Sequence, residues 1–222
     1  MEKKVIAVIG GTGDLGRGLV LRWARAGHPV IVGSRTADKA IEAARRANDL
    51  LGLKTIRGMD NIAATELSDI VALTVPYANH ASMLADLHAA VQGKIFIDVT
   101  VPLRPPKVRT VQLPEAGSVA KAAQIAFGDN VRVVSAFQNI AAAHLQDLHH
   151  EIDCDVLVCG NDPAAREEVI ALAEAAGMTG WHAGRIDNSA IAEALTSGLI
   201  FINSKYGIDG AGIRITGKRK ST

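Results

Sequence analysis

The stretch Gly11-Thr-Gly-Asp-Leu-Gly16 sets three glycines in the spacing G-x-G-x-x-G. That spacing suits a pyrophosphate. Gly11 allows a tight turn, Gly13 lets backbone approach a phosphate, and Gly16 lets a helix pack closely on the preceding strand. No side chain is needed for the chemistry, because free N–H groups and the positive end of a helix dipole face the anion. The glycine pattern alone is weak evidence and gains its meaning from what flanks it. A P-loop is excluded, since no Gly-Lys-Ser/Thr closes the motif.

A second signal lies at Gly33-Ser34-Arg35, with Arg35 placed 19 positions after Gly16. An NAD-selective site usually carries Asp or Glu there, to bind the ribose 2′-hydroxyl. A guanidinium and a hydroxyl suit a 2′-phosphate instead, and no carboxylate is present to repel it. Lys39, at the start of the next helix, adds a second positive charge. The inference is NADP(H).

Other reactive residue types carry less. His149-His150 with Glu151 and Asp153 could suggest a metal, but adjacent residues rarely ligate one ion together, so a solvated loop is expected and no metal is assigned. His80 falls near the predicted cleft, either to polarise a ring carbonyl or as a helix-surface histidine. Arg104, Lys107 and Arg109 surround a proline-rich loop, ready for an anionic tail or merely solvated. Cys154 and Cys159 are an odd number of positions apart in one expected strand. They would face opposite ways, which excludes a shared disulfide or metal. Lys218-Arg-Lys220 reads as a terminal tail. No triad or paired carboxylate stands out, and no catalytic residue is assigned.

These residues need elements to hold them. Val5–Ile9 is an uninterrupted apolar run, as expected of a parallel strand buried on both faces. Leu15, Leu19 and Trp23 recur at helical spacing over 15–26. Further strands are predicted at 30–32, 54–57, 70–75, 95–99, 131–136 and 155–159. Helices are predicted over 37–51, within 58–67, and over 79–91, 118–127, 163–177 and 188–205. Thr36 is placed to cap the second helix and Gly52 to end it. Three prolines hold 100–107 extended. The result is an α/β fold, a Rossmann-type doubly wound, mostly parallel sheet with a small C-terminal helical extension. Residues 1–185 form the dinucleotide-binding part, and 186–222 complete a substrate cleft. Ligands in such sheets lie outside the carboxyl ends of the strands. That rule nominates 10–16, 33–35, 76–77, 100–103 and 137–142. The last helix is too apolar to stand exposed on a monomer, so it covers the sheet or meets a second copy, and a homodimer is expected.

Composition agrees. Of 222 residues, 48% are hydrophobic and 21% charged, with a net charge of +1. That balance argues against nucleic acid as the main partner. The apolar run after Met1-Glu-Lys-Lys is too short for a secretory signal, and no stretch reaches membrane-spanning length. Two cysteines suit a reducing cytoplasm, where the chain is expected.

Gly-Gly-Thr-Gly-Asp-Leu-Gly16, Val-Gly-Ser-Arg35, Thr74-Val-Pro76, Val133-Val-Ser-Ala136, Val158-Cys-Gly160 and Gly212-Ile-Arg214 occur in this order. Together they resemble the NADP-dependent oxidoreductases of coenzyme F420, a 5-deazaflavin, over nearly the whole chain. The resemblance implies that Thr12, Gly13, Asp14 and Leu15 contact the pyrophosphate and that Ser34, Arg35 and Lys39 hold the 2′-phosphate. It implies that Val75 and Tyr77 line the nicotinamide side, that Ala142 closes over it, and that a cleft against the C-terminal part holds the deazaflavin. One departure stands out. After Ser135-Ala136 the family commonly shows histidine and often proline, whereas this chain has Phe137-Gln-Asn-Ile-Ala141.

The leading expectation is therefore hydride transfer between NADP(H) and coenzyme F420, a reaction in which the cofactors carry the chemistry. The departure at Gln138-Asn139 leaves a related flavin or pterin open as second substrate. A small imine or carbonyl is a further alternative, as in pyrroline-carboxylate reductases, which tend to carry a longer helical region than this chain has after Asn188. A sensing module that binds NADP without turnover is the non-enzymatic alternative.

Overall fold

Short β-branched runs make the strands, and alanine-rich or amphipathic stretches make the helices between them. The computed structural model describes residues 3–217, so Lys218–Lys220 lie outside the described residues. The first half runs β1 (Ile6–Ile9), α1 (Asp14–Arg25), β2 (Val30–Ser34), α2 (Ala37–Leu51), β3 (Arg57–Asp60), α3 (Asn61–Glu66) and β4 (Ile70–Leu73). Then come α4 (His80–Leu87), β5 (Ile95–Asp98), α5 (Val119–Phe127), β6 (Arg132–Ser135), α6 (Ala142–Gln146), β7 (Asp155–Gly160), α7 (Pro163–Ala175), β8 (Thr179–Gly184) and α8 (Ser189–Tyr206).

The strands form one sheet in the order β3-β2-β1-β4-β5-β6-β7-β8. All neighbours are parallel except β6 and β7, which are antiparallel. The first six strands follow the order of a doubly wound dinucleotide fold, whose direction of winding reverses between β1 and β4. Register aligns Gly33, Ile9, Leu73, Asp98 and Ser135 in one row across five strands. The chain leaving each strand therefore emerges along one rim. That rim is where a ligand belongs.

Two apolar layers hold the sheet. Val8, Val32, Leu19 and Trp23 belong to the layer shared with α1, α2 and α7. Ile9, Ile31, Leu73, Phe96, Leu84 and Leu87 form the layer beneath α3, α4 and α5. Trp23 is fully buried, donates its indole N–H to Leu172 O at 2.9 Å, and meets Phe137 edge-on at 5.8 Å. Burying one such ring contributes roughly 2–3 kcal/mol.

Several boundaries differ from the sequence reading. The third strand is Arg57–Asp60 instead of 54–57, because Gly58 lets this strand press against the backbone of Ala40 in α2, where a Cβ would collide. Helix α4 stops at Leu87, well before residue 91, in a series of turns. Strand β8 was not anticipated at all. Thr36 occupies the cap position of α2, yet its side chain makes no capping bond, whereas Gly52 ends the helix at φ +64 as expected. Cys154 precedes β7 instead of lying in it. Both cysteines are free and buried, and burial pushes the Cys159 thiol up to about 11. Among the described residues no helix is long and apolar enough to cross a membrane.

Helix α8 packs its Ser189, Glu193 and Ser197 inward. The buried Glu193 carboxylate accepts the first N–H groups of α5, from Val119 at 2.7 Å and Ala120 at 3.1 Å. Burial outweighs those bonds and raises this carboxyl to about 8. Its other side leaves Ile191, Phe201, Ile202 and Tyr206 exposed. The following segment is tied back by Asp155 N–H to Ile213 O at 2.8 Å and by Ile215 N–H to the Asp155 carboxylate at 2.7 Å.

Candidate functional site

The glycine turn is built from backbone. Gly10 takes φ +79 and donates to Gly33 O at 3.1 Å; Gly13 donates to Gly10 O at 2.9 Å. A Cβ on Gly16 would stand 2.5 Å from Thr74 Oγ1 and 2.8 Å from Gly10 O, so helix-to-strand packing requires that glycine. A Cβ on Gly11 would meet Val8 O at 2.8 Å. Gly13 is different. A Cβ there would touch only Gly10 O, at 3.4 Å, so the protein's own packing leaves the position open. What a side chain at Gly13 would fill is the approach to the free N–H groups of α1, which is the space a phosphate needs. The turn fits a dinucleotide.

A groove of about 360 Å³ runs from this turn along the rim, lined by Thr12, Gly13, Ser34, Arg35, Lys39 and Val75 among others. Ser34 ends β2 and is buried, while Arg35 and Lys39 are exposed. Neither cation has an ion-pair partner among the described residues. Elsewhere on α2, Arg45 and Arg46 share Glu42, whose carboxyl those two guanidiniums pull down to about 2. Two unneutralised cations beside a hydroxyl suit an anion, and β2 ends in Ser34-Arg35 with no acid there, the nearest lining acid being Asp86 of α4.

Six of the expected residues, Thr12, Gly13, Ser34, Arg35, Lys39 and Val75, thus come together on this groove. Gly11, Asp14, Leu15 and Gly16 form the turn and the start of α1 behind it, with Leu15 packed on the core. The switch point itself is fixed by Thr74, whose N–H and Oγ1 both donate to Ile9 O at 2.9 Å. Asn61, which the sequence did not single out, also lines the groove, with its Oδ1 buried and unpartnered. It sits at the start of a helix so short that no periodicity marks it.

Tyr77 and Ala142 lie apart from that set. Tyr77 faces a second cavity of about 690 Å³ between α4 and α5, with His80, Leu84, His88, Pro114 and Val119. Its hydroxyl accepts from Arg104 at 3.2 Å, and the Arg104 guanidinium sits 5.3 Å from the ring centroid. Arg104 is therefore engaged. Ala142 opens α6, which docks on α1 with Leu145 against Gly18 and is held by Arg22 donating to the carbonyls of His144 and Leu145.

The loop after β6 is tied to the sheet by two amides. Gln138 and Asn139 point inward: Gln138 donates to Asp98 O at 2.8 Å and Ser135 Oγ at 3.0 Å, and Asn139 donates to Asp155 O at 3.1 Å. They knit the loop to β5 and β7. His80 is not a surface histidine. It is buried, with Nε2 2.7 Å from the fully buried Asp98 carboxylate. His149 is exposed and His150 stacks on His144 at 4.0 Å. Among the described residues no group of three His, Cys, Asp or Glu is arranged for a metal ion.

Fold and groove define the class, a Rossmann-type oxidoreductase that uses a nicotinamide dinucleotide. Residues 5–102 match the family model described as NADP oxidoreductase, coenzyme F420-dependent. The F420-dependent NADP reductase of Methanocaldococcus jannaschii is 42% identical over 219 residues, covering 95% of this chain and 97% of that protein. Among solved structures, one from Arthrobacter sp. FB24, proposed to be an F420-dependent NADP-reductase, superposes with a TM-score of 0.79 at 24% identity, covering 96% of this chain and all of that one. An imine reductase from Myxococcus stipitatus shares the fold at a TM-score of 0.60 and 18% identity, but this chain, covered over 93% of its length, spans only 63% of it. The chain belongs to the family of F420-dependent NADP reductases.

Proposed function

We propose that this protein transfers a hydride between NADP(H) and coenzyme F420, with the NADP(H) selected by its 2′-phosphate. When both are bound, the nicotinamide and the deazaflavin exchange the hydride, and the protein supplies orientation, water exclusion and electrostatics. The observation that carries the reading is the pair of unneutralised cations, Arg35 and Lys39, on a groove that begins at the open Gly13. The Gly13 turn and the N-terminus of α1 hold the pyrophosphate, and Thr12, Asp14 and Leu15 offer main-chain donors to it. Ser34, Arg35 and Lys39 take the 2′-phosphate. Val75 packs beside the turn on the nicotinamide side, next to Tyr77, and Ala142 closes the far side.

The division into 1–185 for the dinucleotide and 186–222 for the cleft belongs to the same proposal. So does a homodimer in the cytoplasm, in which a second copy covers the exposed apolar side of α8. The deciding experiment mixes purified protein, NADPH and F420 and follows the visible absorbance of the deazaflavin. Bleaching that depends on NADPH, and far less on NADH, is expected. No bleaching, together with turnover of another acceptor, would overturn the reading.

A further inference from the structure

Hydride transfer leaves one step unassigned. NADPH gives a hydride, not a proton, and a deazaflavin that receives the hydride at carbon C5 must also gain a proton at ring nitrogen N1. The reverse reaction must lose that proton. Electrons and atoms balance only when some group exchanges it.

We propose that His80, held by Asp98, exchanges this proton. The inference rests on the F420 reading above. Asp98 closes β5 in the row of strand ends that faces the ligand rim, and His80 opens α4 immediately after the chain leaves that rim. Asp98 is fully buried and His80 nearly so, and Nε2 lies 2.7 Å from Oδ2. The other Asp98 oxygen accepts the Thr100 N–H at 3.0 Å, so the carboxylate cannot turn away. It fixes the imidazole with Nε2 as the protonated nitrogen in the neutral form, which leaves Nδ1 as the site that gains and loses a proton. Nδ1 has no protein partner among the described residues, and the histidine lines the cavity that Tyr77 also faces. The Tyr77 ring lies 6.4 Å from the imidazole at 30° to it, so the two rings stand side by side on that cavity.

In the direction of deazaflavin reduction, an N–H bond forms at N1 while the Nδ1–H bond of the imidazolium breaks. The imidazole keeps its Nε2 proton on Asp98 and recovers the other from water. The charged and titratable groups around His80 are few. Asp98 faces it from β5, and Tyr77 faces it with Arg104 behind. His88 lies further along its own helix on the same cavity, and Glu193 of α8 interacts with Asp98 from the far side. A buried carboxylate that fixes the orientation of a histidine is the usual support of a general acid and base.

The test compares wild type, His80→Gln and Asp98→Asn. NADPH affinity, read by titration of its fluorescence, should stay within about threefold in His80→Gln. The rate of deazaflavin reduction at neutral pH should fall about 100-fold, the usual scale for loss of a general acid, and one ionisation should vanish from its pH profile. A readout independent of turnover is the ¹⁵N shift of the His80 ring, which should titrate at Nδ1 across the pH range where the wild-type rate changes. Asp98→Asn should alter that titration, and if it fails to fold, the His80→Gln profile and the wild-type shifts still decide. Wild-type turnover with a His80→Gln rate and pH profile like the parent's, or a ring that keeps one protonation state throughout, overturns the proton role alone. Wild-type protein that bleaches no deazaflavin overturns the F420 reading as well.

Discussion

The two ends of the ligand rim are built differently. At the β1–β2 end the turn, one helix start, the last residue of one strand and two cations all lie within Gly10–Lys39, with Asn61 and Val75 completing the groove from further along the chain. What it presents to a ligand is backbone N–H groups and two exposed cations. At the β5–β6 end the parts come from far apart in the chain. His80 meets Asp98, Gln138 meets Asp98, Asn139 meets Asp155, and Thr196 donates to Gln138 O at 2.9 Å. Here the polar groups are buried and bond one another through their N–H groups, while Gln138 Oε1 and Asn139 Oδ1 have no partner among the described residues. A phosphate is the same in every dinucleotide and can be met by a short motif. A ring system needs a shaped wall, which only tertiary packing provides.

Three substitutions press on that contrast. Gly16→Val should have the largest effect, since its Cβ has nowhere to go between Thr74 Oγ1 and Gly10 O. The helix must move off the turn, with a loss of roughly 3 kcal/mol and no measurable NADPH binding, to be read by thermal melting and titration. Near-normal binding would show that the turn tolerates displacement and that the local end is less rigid than its contacts suggest.

Arg35→Asp comes next. It removes a charge-assisted contact and sets a carboxylate against the 2′-phosphate, so the preference for NADPH over NADH should fall about 100-fold, equivalent to about 3 kcal/mol. Comparison of kcat/KM for the two dinucleotides measures it. An unchanged preference would remove the basis for assigning NADP(H) from the groove.

The smallest effect is expected at the other end, in Glu193→Gln. The carboxyl has its ordinary value near 4.5 when unfolded and about 8 when folded. Its folded value is raised, so the stability of the neutral, buried form is complete below pH 4.5. It is lost progressively as the pH climbs to about 8, where both states are ionised. The amide does not titrate. Melting temperatures of wild type and variant should therefore diverge between pH 5 and 8, with wild type losing a few degrees relative to the variant. Parallel curves would mean that the α5–α8 junction holds its carboxylate ionised throughout.

What was legible in the sequence follows the same division. Gly11, Gly13, Gly16, Ser34 and Arg35 were readable because their spacing alone sets their geometry. Strands β1, β2, β4, β5 and β6 were readable as apolar runs of the right length, and with the helices between them they gave the doubly wound class. His80 was readable only as a histidine near the cleft, because its partner Asp98 lies 18 positions away in another strand. Gln138 and Asn139 were legible as a departure from the family, but not the bonds from their amide N–H groups to the β5 and β7 carbonyls, which spacing does not reveal. Strand β8 contains Gly180 and Gly184, has no apolar alternation, and exists because β7 offers it an edge. The displacement of β3 depended on Gly58 finding the backbone of α2.

The double anchor of Thr74 on a single carbonyl oxygen of Ile9 has a kinetic implication. The width of the slot between the first and fourth strands is settled before any guest arrives, so a dinucleotide entering it has little to rearrange and its association should be quick. Any slow rearrangement on binding then falls outside that slot.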